Sequence, residues 1–139
     1  MKRMIISGCL AAIAAGIVAA PASAAVRHFH GPVTGGGNVT FDVNFQYATP
    51  KSVSSVHFNN VQVHCSDGAH GPHDFAYLGT RPVVNRQFSY TFQTFRANFH
   101  GTIRGTGRSA FGTVSYGPNT ISGHPRCTTG GPKSWTAST

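Results

Sequence analysis

Apolar and polar residues alternate along most of the chain after residue 37, and this alternation predicts β-strands. From Val39 to Tyr47 every second residue is valine, phenylalanine or tyrosine, and the residues between them are polar. The segments Gln87–Phe92 and Phe95–Ile103 show the same period of two. Such alternation is typical of strands with one face in the core and the other in solvent. No window of useful length repeats its apolar residues with a helical period.

Residues that favour turns divide the chain into short segments. The predicted breaks are Thr49-Pro50-Lys51, Asn59-Asn60, the glycine-rich stretch Arg104–Arg108, and Gly117-Pro118-Asn119. Seven to eight short strands result, and their apolar-in, polar-out pattern favours antiparallel pairing. We therefore predict an all-β fold, an antiparallel β-sandwich of Greek-key or jelly-roll type.

The N-terminal region has the pattern of a secretory signal peptide. Lys2 and Arg3 precede an apolar run over Met4–Ala20, and the small residues Ala22-Ser23-Ala24 follow. The run is shorter than the roughly 20 residues that a spanning helix needs, so no membrane span is expected. Cleavage after Ala24 and cleavage after Ala25 both fit the pattern.

This assignment sets the domain organisation. We predict a signal peptide over residues 1–24, an N-terminal arm over residues 25–37, and a single β-sandwich domain over residues 38–139. The arm is predicted because the segment contains Pro32 and three consecutive glycines. The protein is expected to be secreted.

Two cysteines remain once cleavage of the signal peptide removes Cys9. Cys65 and Cys127 are then the only thiols of an exported protein, where oxidation is the default. We predict one disulfide between them. The alternative, two metal-binding thiolates, lacks a Cys-x-x-Cys pair.

The chain is strongly basic, with a net charge of +8. Nine lysines and arginines face three aspartates once the signal peptide is removed, which leaves +6. A basic domain attracts anionic polymers, although the charge could also serve solubility alone. Alternation puts one set of side chains on the polar face of a strand and its following turn, and these are the candidate anion-binding residues: Arg96, His100, Arg104 and Arg108. The aromatic residues lie on the opposite face, so nucleic acid is not the expected physiological partner. The alternative is an ordinary solvated face.

A group of histidines is the candidate metal site. His64, His70, His73 and Asp74 are close in sequence, and imidazole with carboxylate can hold zinc or copper. Solvated loop histidines are the alternative, because the spacing matches no established metal motif.

Catalytic motifs are missing from the sequence. The chain has no glutamate and only three aspartates, and Gly107–Phe111 departs from the Gly-x-Ser-x-Gly pattern at its last position. An enzyme is therefore the less expected class.

Three short motifs of the domain resemble those of other proteins. Cys65 is followed by Gly68, a Phe88-Ser89 strand lies between, and Cys127-Thr-Thr-Gly130 precedes Trp135-Thr-Ala137. This pattern resembles small exported all-β proteins of high-GC Gram-positive bacteria. The resemblance implies the fold and export, and it implies no reaction. We expect a secreted, non-catalytic binding or surface-interaction module with an anionic polymer as candidate ligand. The alternative is a metal-binding protein or metal-dependent enzyme that uses the histidine region.

Overall fold

The computed structural model describes residues 24–139, and the predicted signal peptide lies outside these residues apart from Ala24. The described chain consists of eleven β-strands without a helix. The strands are β1 (Ala24–Pro32), β2 (Asn38–Gln46), β3 (Thr49–His64), β4 (His70–Tyr77), β5 (Arg81–Pro82), β6 (Gln87–Phe92), β7 (Ala97–Ile103), β8 (Ser109–Ser115), β9 (Asn119–Ile121), β10 (His124–Cys127) and β11 (Lys133–Ser138).

Nine of these strands form one antiparallel sheet. Its order is β4-β3-β2-β1-β11-β8-β7-β6, and β5 pairs with β3 beside β4. Strands β9 and β10 form a separate hairpin. The large sheet curls into a half-barrel. The predicted all-β class and antiparallel pairing are confirmed, with more strands than the seven or eight expected.

The curl brings the two halves of the sheet together over a single core. Phe41 of β2 packs against Phe88 of β6, with ring centroids 5.7 Å apart. Phe58 of β3 meets Phe99 of β7 edge to face at 5.1 Å. These aromatic contacts join strands far apart in the sheet order, so the inner faces of both halves are dry.

The segment expected to be an N-terminal arm is instead a central strand. β1 pairs with β2 along its whole length and meets β11 through the pair His30 and Ser138. Phe29 and Val33 are buried. The prediction was wrong because Pro32 and the glycines that follow it lie at the end of β1 and in the turn to β2, and do not interrupt the strand.

The predicted turn at Asn59-Asn60 is a bulge within the long strand β3. The register with β4 shifts between Phe58 and Val61, and Asn60 has a φ of 56°. Asparagine tolerates this left-handed conformation better than most residues. The Asp74 carboxylate accepts a hydrogen bond from the Asn60 backbone N–H at 2.7 Å, which satisfies a group the bulge removes from the ladder.

The disulfide is formed between Cys65 and Cys127, as predicted. It fastens the β9–β10 hairpin to the end of β3. Beside it, His64 and Thr128 exchange backbone hydrogen bonds of 2.8 and 2.9 Å. A structural disulfide of this kind is typical of an oxidising environment.

One aromatic residue expected in the core lies outside it. Phe95 occupies the turn between β6 and β7, and 59% of its surface is exposed. The alternation that the sequence shows continues into this turn, so periodicity alone could not separate Phe95 from the strand residues that follow it.

Candidate functional site

The outer face of strands β6, β7 and β8 forms a broad, open depression of about 720 Å³. Two rows of paired residues cross its floor. In the first, Ser89 pairs with His100, which pairs with Thr113. The second row consists of Gln87, Thr102 and Phe111. Strand alternation turns all six side chains outward, away from the core.

One rim of the depression is built by β5 and the tight turn into β6. Arg81 and Pro82 of β5 line it, together with Val84 and Asn85. The two central residues of the turn, Asn85 and Arg86, have φ values of 49° and 64°. Two consecutive positive φ values match a type I′ hairpin turn, which fixes the position of this rim relative to β6.

Phe111 also lines the depression, and an arginine stacks on its ring. The guanidinium of Arg104 lies over the Phe111 ring, 4.8 Å from its centroid. Its backbone carbonyl accepts a hydrogen bond of 2.9 Å from the Arg86 guanidinium. The Arg86 backbone carbonyl in turn accepts a hydrogen bond from the Ile103 backbone N–H at 2.8 Å. The two arginines are therefore held beside each other at the end of β7.

The positive charge of this region has no neutralising partner. Within residues 24–139 no lysine or arginine forms an ion pair with a carboxylate, and the two ion-pair contacts join histidines to Asp42 and Asp67. The hydrogen bond from His124 holds the pKa of Asp67 below its usual range. Asp74 binds the β3 bulge. All three acidic side chains are engaged elsewhere, so the depression presents an uncompensated positive potential.

The predicted anion-binding residues are only partly brought together. His100 lies on the floor of the depression, and Arg104 is stacked on Phe111, which lines it. Arg96 is in the turn at the other end of β7, with a φ of 43°, and Arg108 is exposed in the turn between β7 and β8. Neither of these two lines the depression. Arg81 and Phe111 line the depression, and Arg86 is hydrogen-bonded to Arg104 beside it. All three were missed in the sequence, because only the pairing of strands reveals that they are neighbours.

The candidate metal residues are divided between two faces of the sheet. His64 and His70 pair across β3 and β4, with ring centroids 6.1 Å apart. His73 points to the other face, where its ring lies 5.2 Å from that of Tyr116. In the described part of the chain, no three histidine, cysteine or acidic side chains come together as metal ligands would. Residues three apart on a strand face opposite sides of the sheet, so the His70-x-x-His73 spacing does not bring these two imidazoles together.

A smaller cavity of about 230 Å³ lies between the edges of β4 and β6. Its lining is almost entirely apolar and aromatic: Phe75, Ala76, Tyr77, Phe92, Phe95, Ala97 and Tyr116. Burial raises the pKa values of Tyr77 and Tyr116 and lowers that of the adjacent His73. Burial therefore disfavours the charged form of all three groups, and neutral side chains surround this cavity.

No protein family model, curated protein or solved structure matches this chain. The structure shows no helix within residues 24–139 of the length and hydrophobicity that crossing a membrane requires.

Proposed function

We propose that this protein is a secreted, non-catalytic binding module that holds an anionic polymer at the cell exterior. The observation that supports this is the depression on the outer face of β6–β8, whose floor carries hydroxyl, amide and imidazole groups. Arg81 lines it and Arg104 stacks on Phe111, which also lines it, and neither arginine has a carboxylate partner within residues 24–139. Export is supported by the disulfide and by the signal-peptide pattern of the first 24 residues. The same features support a relation to the small exported all-β proteins that the sequence resembles.

The shape of the depression favours a polymer over a small molecule. Small-molecule sites are mostly enclosed and apolar, and they bury most of the ligand surface. This depression is open along the sheet, and its polar groups are spread over three strands. A chain with repeated anionic groups gains from several such weak contacts at once.

Retention on immobilised heparin, measured as the salt concentration at elution, tests the proposal. Arg81→Ser/Arg104→Ser removes the charge that lines the depression and the charge stacked on Phe111, and it should elute at clearly lower salt than the wild type. Arg96→Ser/Arg126→Ser is the matched control, because it removes the same charge from exposed positions outside the depression. It should shift elution much less. Equal shifts for the two variants would show that net charge alone governs retention, and a wild type that is not retained would refute the proposed function.

A further inference from the structure

A second depression lies on the same outer face, beyond the stack of Arg104 on Phe111. Its volume is about 280 Å³, and it spans β8, β11 and β1. Arg104 lines it on one side and His30 on the other. Between them lie the hydroxyl-bearing residues Ser109, Thr136 and Ser138.

Strand pairing aligns these residues across the sheet. Ser109 of β8 pairs with Ser138 of β11, which pairs with His30 of β1. The Arg104 backbone N–H donates a hydrogen bond of 2.9 Å to the Ser109 carbonyl, so Arg104 continues the same row. This row therefore carries a cation at one end, two hydroxyls, and an imidazole at the other end.

We propose that one linear anionic polysaccharide crosses both depressions, running across the strands, with Arg104 contacting it at the midpoint. The inference rests on the proposed function and adds the ligand class, its direction and its length. Arg104 links the two depressions, since it lines the second and stacks on Phe111, which lines the first. From β6 to β1 the path crosses four strand intervals of ~4.8 Å, or roughly 19 Å. A disaccharide is too short to reach both ends.

The lining favours a saccharide over a nucleic acid. Hydroxyl, amide and imidazole groups can donate and accept hydrogen bonds with sugar hydroxyls, while arginine binds the anionic substituents. Sequence-tolerant binding of single-stranded nucleic acid relies on successive aromatic rings on which bases stack. Among the residues that line the two depressions, Phe111 is the one aromatic side chain with a large exposed surface, and Arg104 already covers it.

The charge pattern also limits the path at β1. The next strand, β2, carries Asp42 on its outer face, and the Asp42 carboxylate contacts His28 of β1 at 2.6 Å. The residue of β2 that pairs with His30 is Thr40, and Asp42 lies two residues further along that strand, so a polyanion that continued onto β2 would pass close to this carboxylate. Charge therefore favours contacts up to His30 and disfavours a path that continues over Asp42.

Binding of heparin oligosaccharides of increasing length, measured by titration calorimetry, tests the inference. For the wild type, affinity should rise with length until the chain spans both depressions and should then level off. His30→Ala/Ser138→Ala should lower the affinity for long oligosaccharides by about tenfold, the loss expected for two ordinary hydrogen-bonded contacts. The loss should be smaller for a disaccharide, which is too short to span both depressions.

The control is His57→Ala/Ser54→Ala, which makes the same chemical change on the outer face of β3, and it should alter neither affinity. If the wild type binds full-length heparin but His30→Ala/Ser138→Ala matches it at every length, the two-depression path is refuted while the proposed function stands. Absence of heparin binding by the wild type refutes both. A single-stranded oligonucleotide of equal charge that binds as tightly, with the same dependence on His30, would overturn the polysaccharide assignment.

Discussion

The indole of Trp135 lies directly over the backbone of Gly112, its partner across β11 and β8. A Cβ atom on Gly112 would come within 2.7 Å of Trp135 Cζ2, and a Cβ on the neighbouring Gly101 of β7 would come equally close. The row ends at Phe88 of β6, which pairs with Gly101. Two adjacent glycines thus make room for two large rings on the inner side of the sheet that carries the first depression.

Gly112→Ala should therefore destabilise the protein by at least about 1–3 kcal/mol, the usual cost of overpacking a filled core. The added methyl group would also meet the His100 carbonyl, which is backbone and cannot rotate away. Urea denaturation followed by tryptophan fluorescence measures the effect. Gly71→Ala is the control, because a Cβ at Gly71 meets nothing within 4 Å. Equal stability of the two variants would refute this account of the packing.

Two buried tyrosine hydroxyls should respond in opposite ways to removal. Tyr90 donates a hydrogen bond of 2.6 Å to the Val53 carbonyl, so Tyr90→Phe should cost about 0.5–1.5 kcal/mol. The Tyr77 hydroxyl is buried and has no hydrogen-bond partner within residues 24–139. Tyr77→Phe should be neutral or stabilising, because it removes a polar group that burial penalises. Thermal unfolding of both variants checks the order, and a larger loss for Tyr77→Phe would contradict it.

The disulfide should contribute a large share of the stability. Cys65 and Cys127 are 62 residues apart, and closing a loop of that length is worth about 4 kcal/mol in the chain-entropy model. Cys65→Ala/Cys127→Ala should lower the free energy of unfolding by roughly this amount without leaving a free thiol. Guanidinium denaturation of the oxidised wild type and the variant measures it. A difference below about 1 kcal/mol would mean that packing alone holds the β9–β10 hairpin.

His73 should make the folded state sensitive to acid. Burial lowers its pKa, and the charge of Asp74 opposes this shift only in part. Because the folded state then binds the proton less readily than the unfolded state, stability falls as pH drops below the unfolded histidine pKa of about 6.5. His73→Phe should remove this part of the loss between pH 7 and pH 5. Parallel denaturation curves at both pH values for the wild type and His73→Phe check it, and an unchanged pH dependence would contradict it.

The sequence predicted some residues of the candidate surface but not which segments of the chain lie side by side in it. The period of two placed His100 and Thr102 on a polar face, and this was correct because alternation depends on local backbone geometry alone. It could not show that Arg81 and Arg86 lie beside that face, since they belong to other segments of the chain. The period of two also placed Arg96 on this face, because the alternation of β7 continues backward into the turn that precedes the strand.

The sequence by itself determined the all-β class, the antiparallel pairing, the disulfide and the inward or outward direction of most strand residues. These follow from local periodicity and from two cysteines with no other partner in the described chain. Tertiary structure decided that Ala24–Pro32 is a central strand, that β3 continues through Asn60, and that His64 and His73 face apart. Strand order and register depend on contacts between distant segments, and only those contacts bring Arg81, His100, Arg104 and His30 onto one surface.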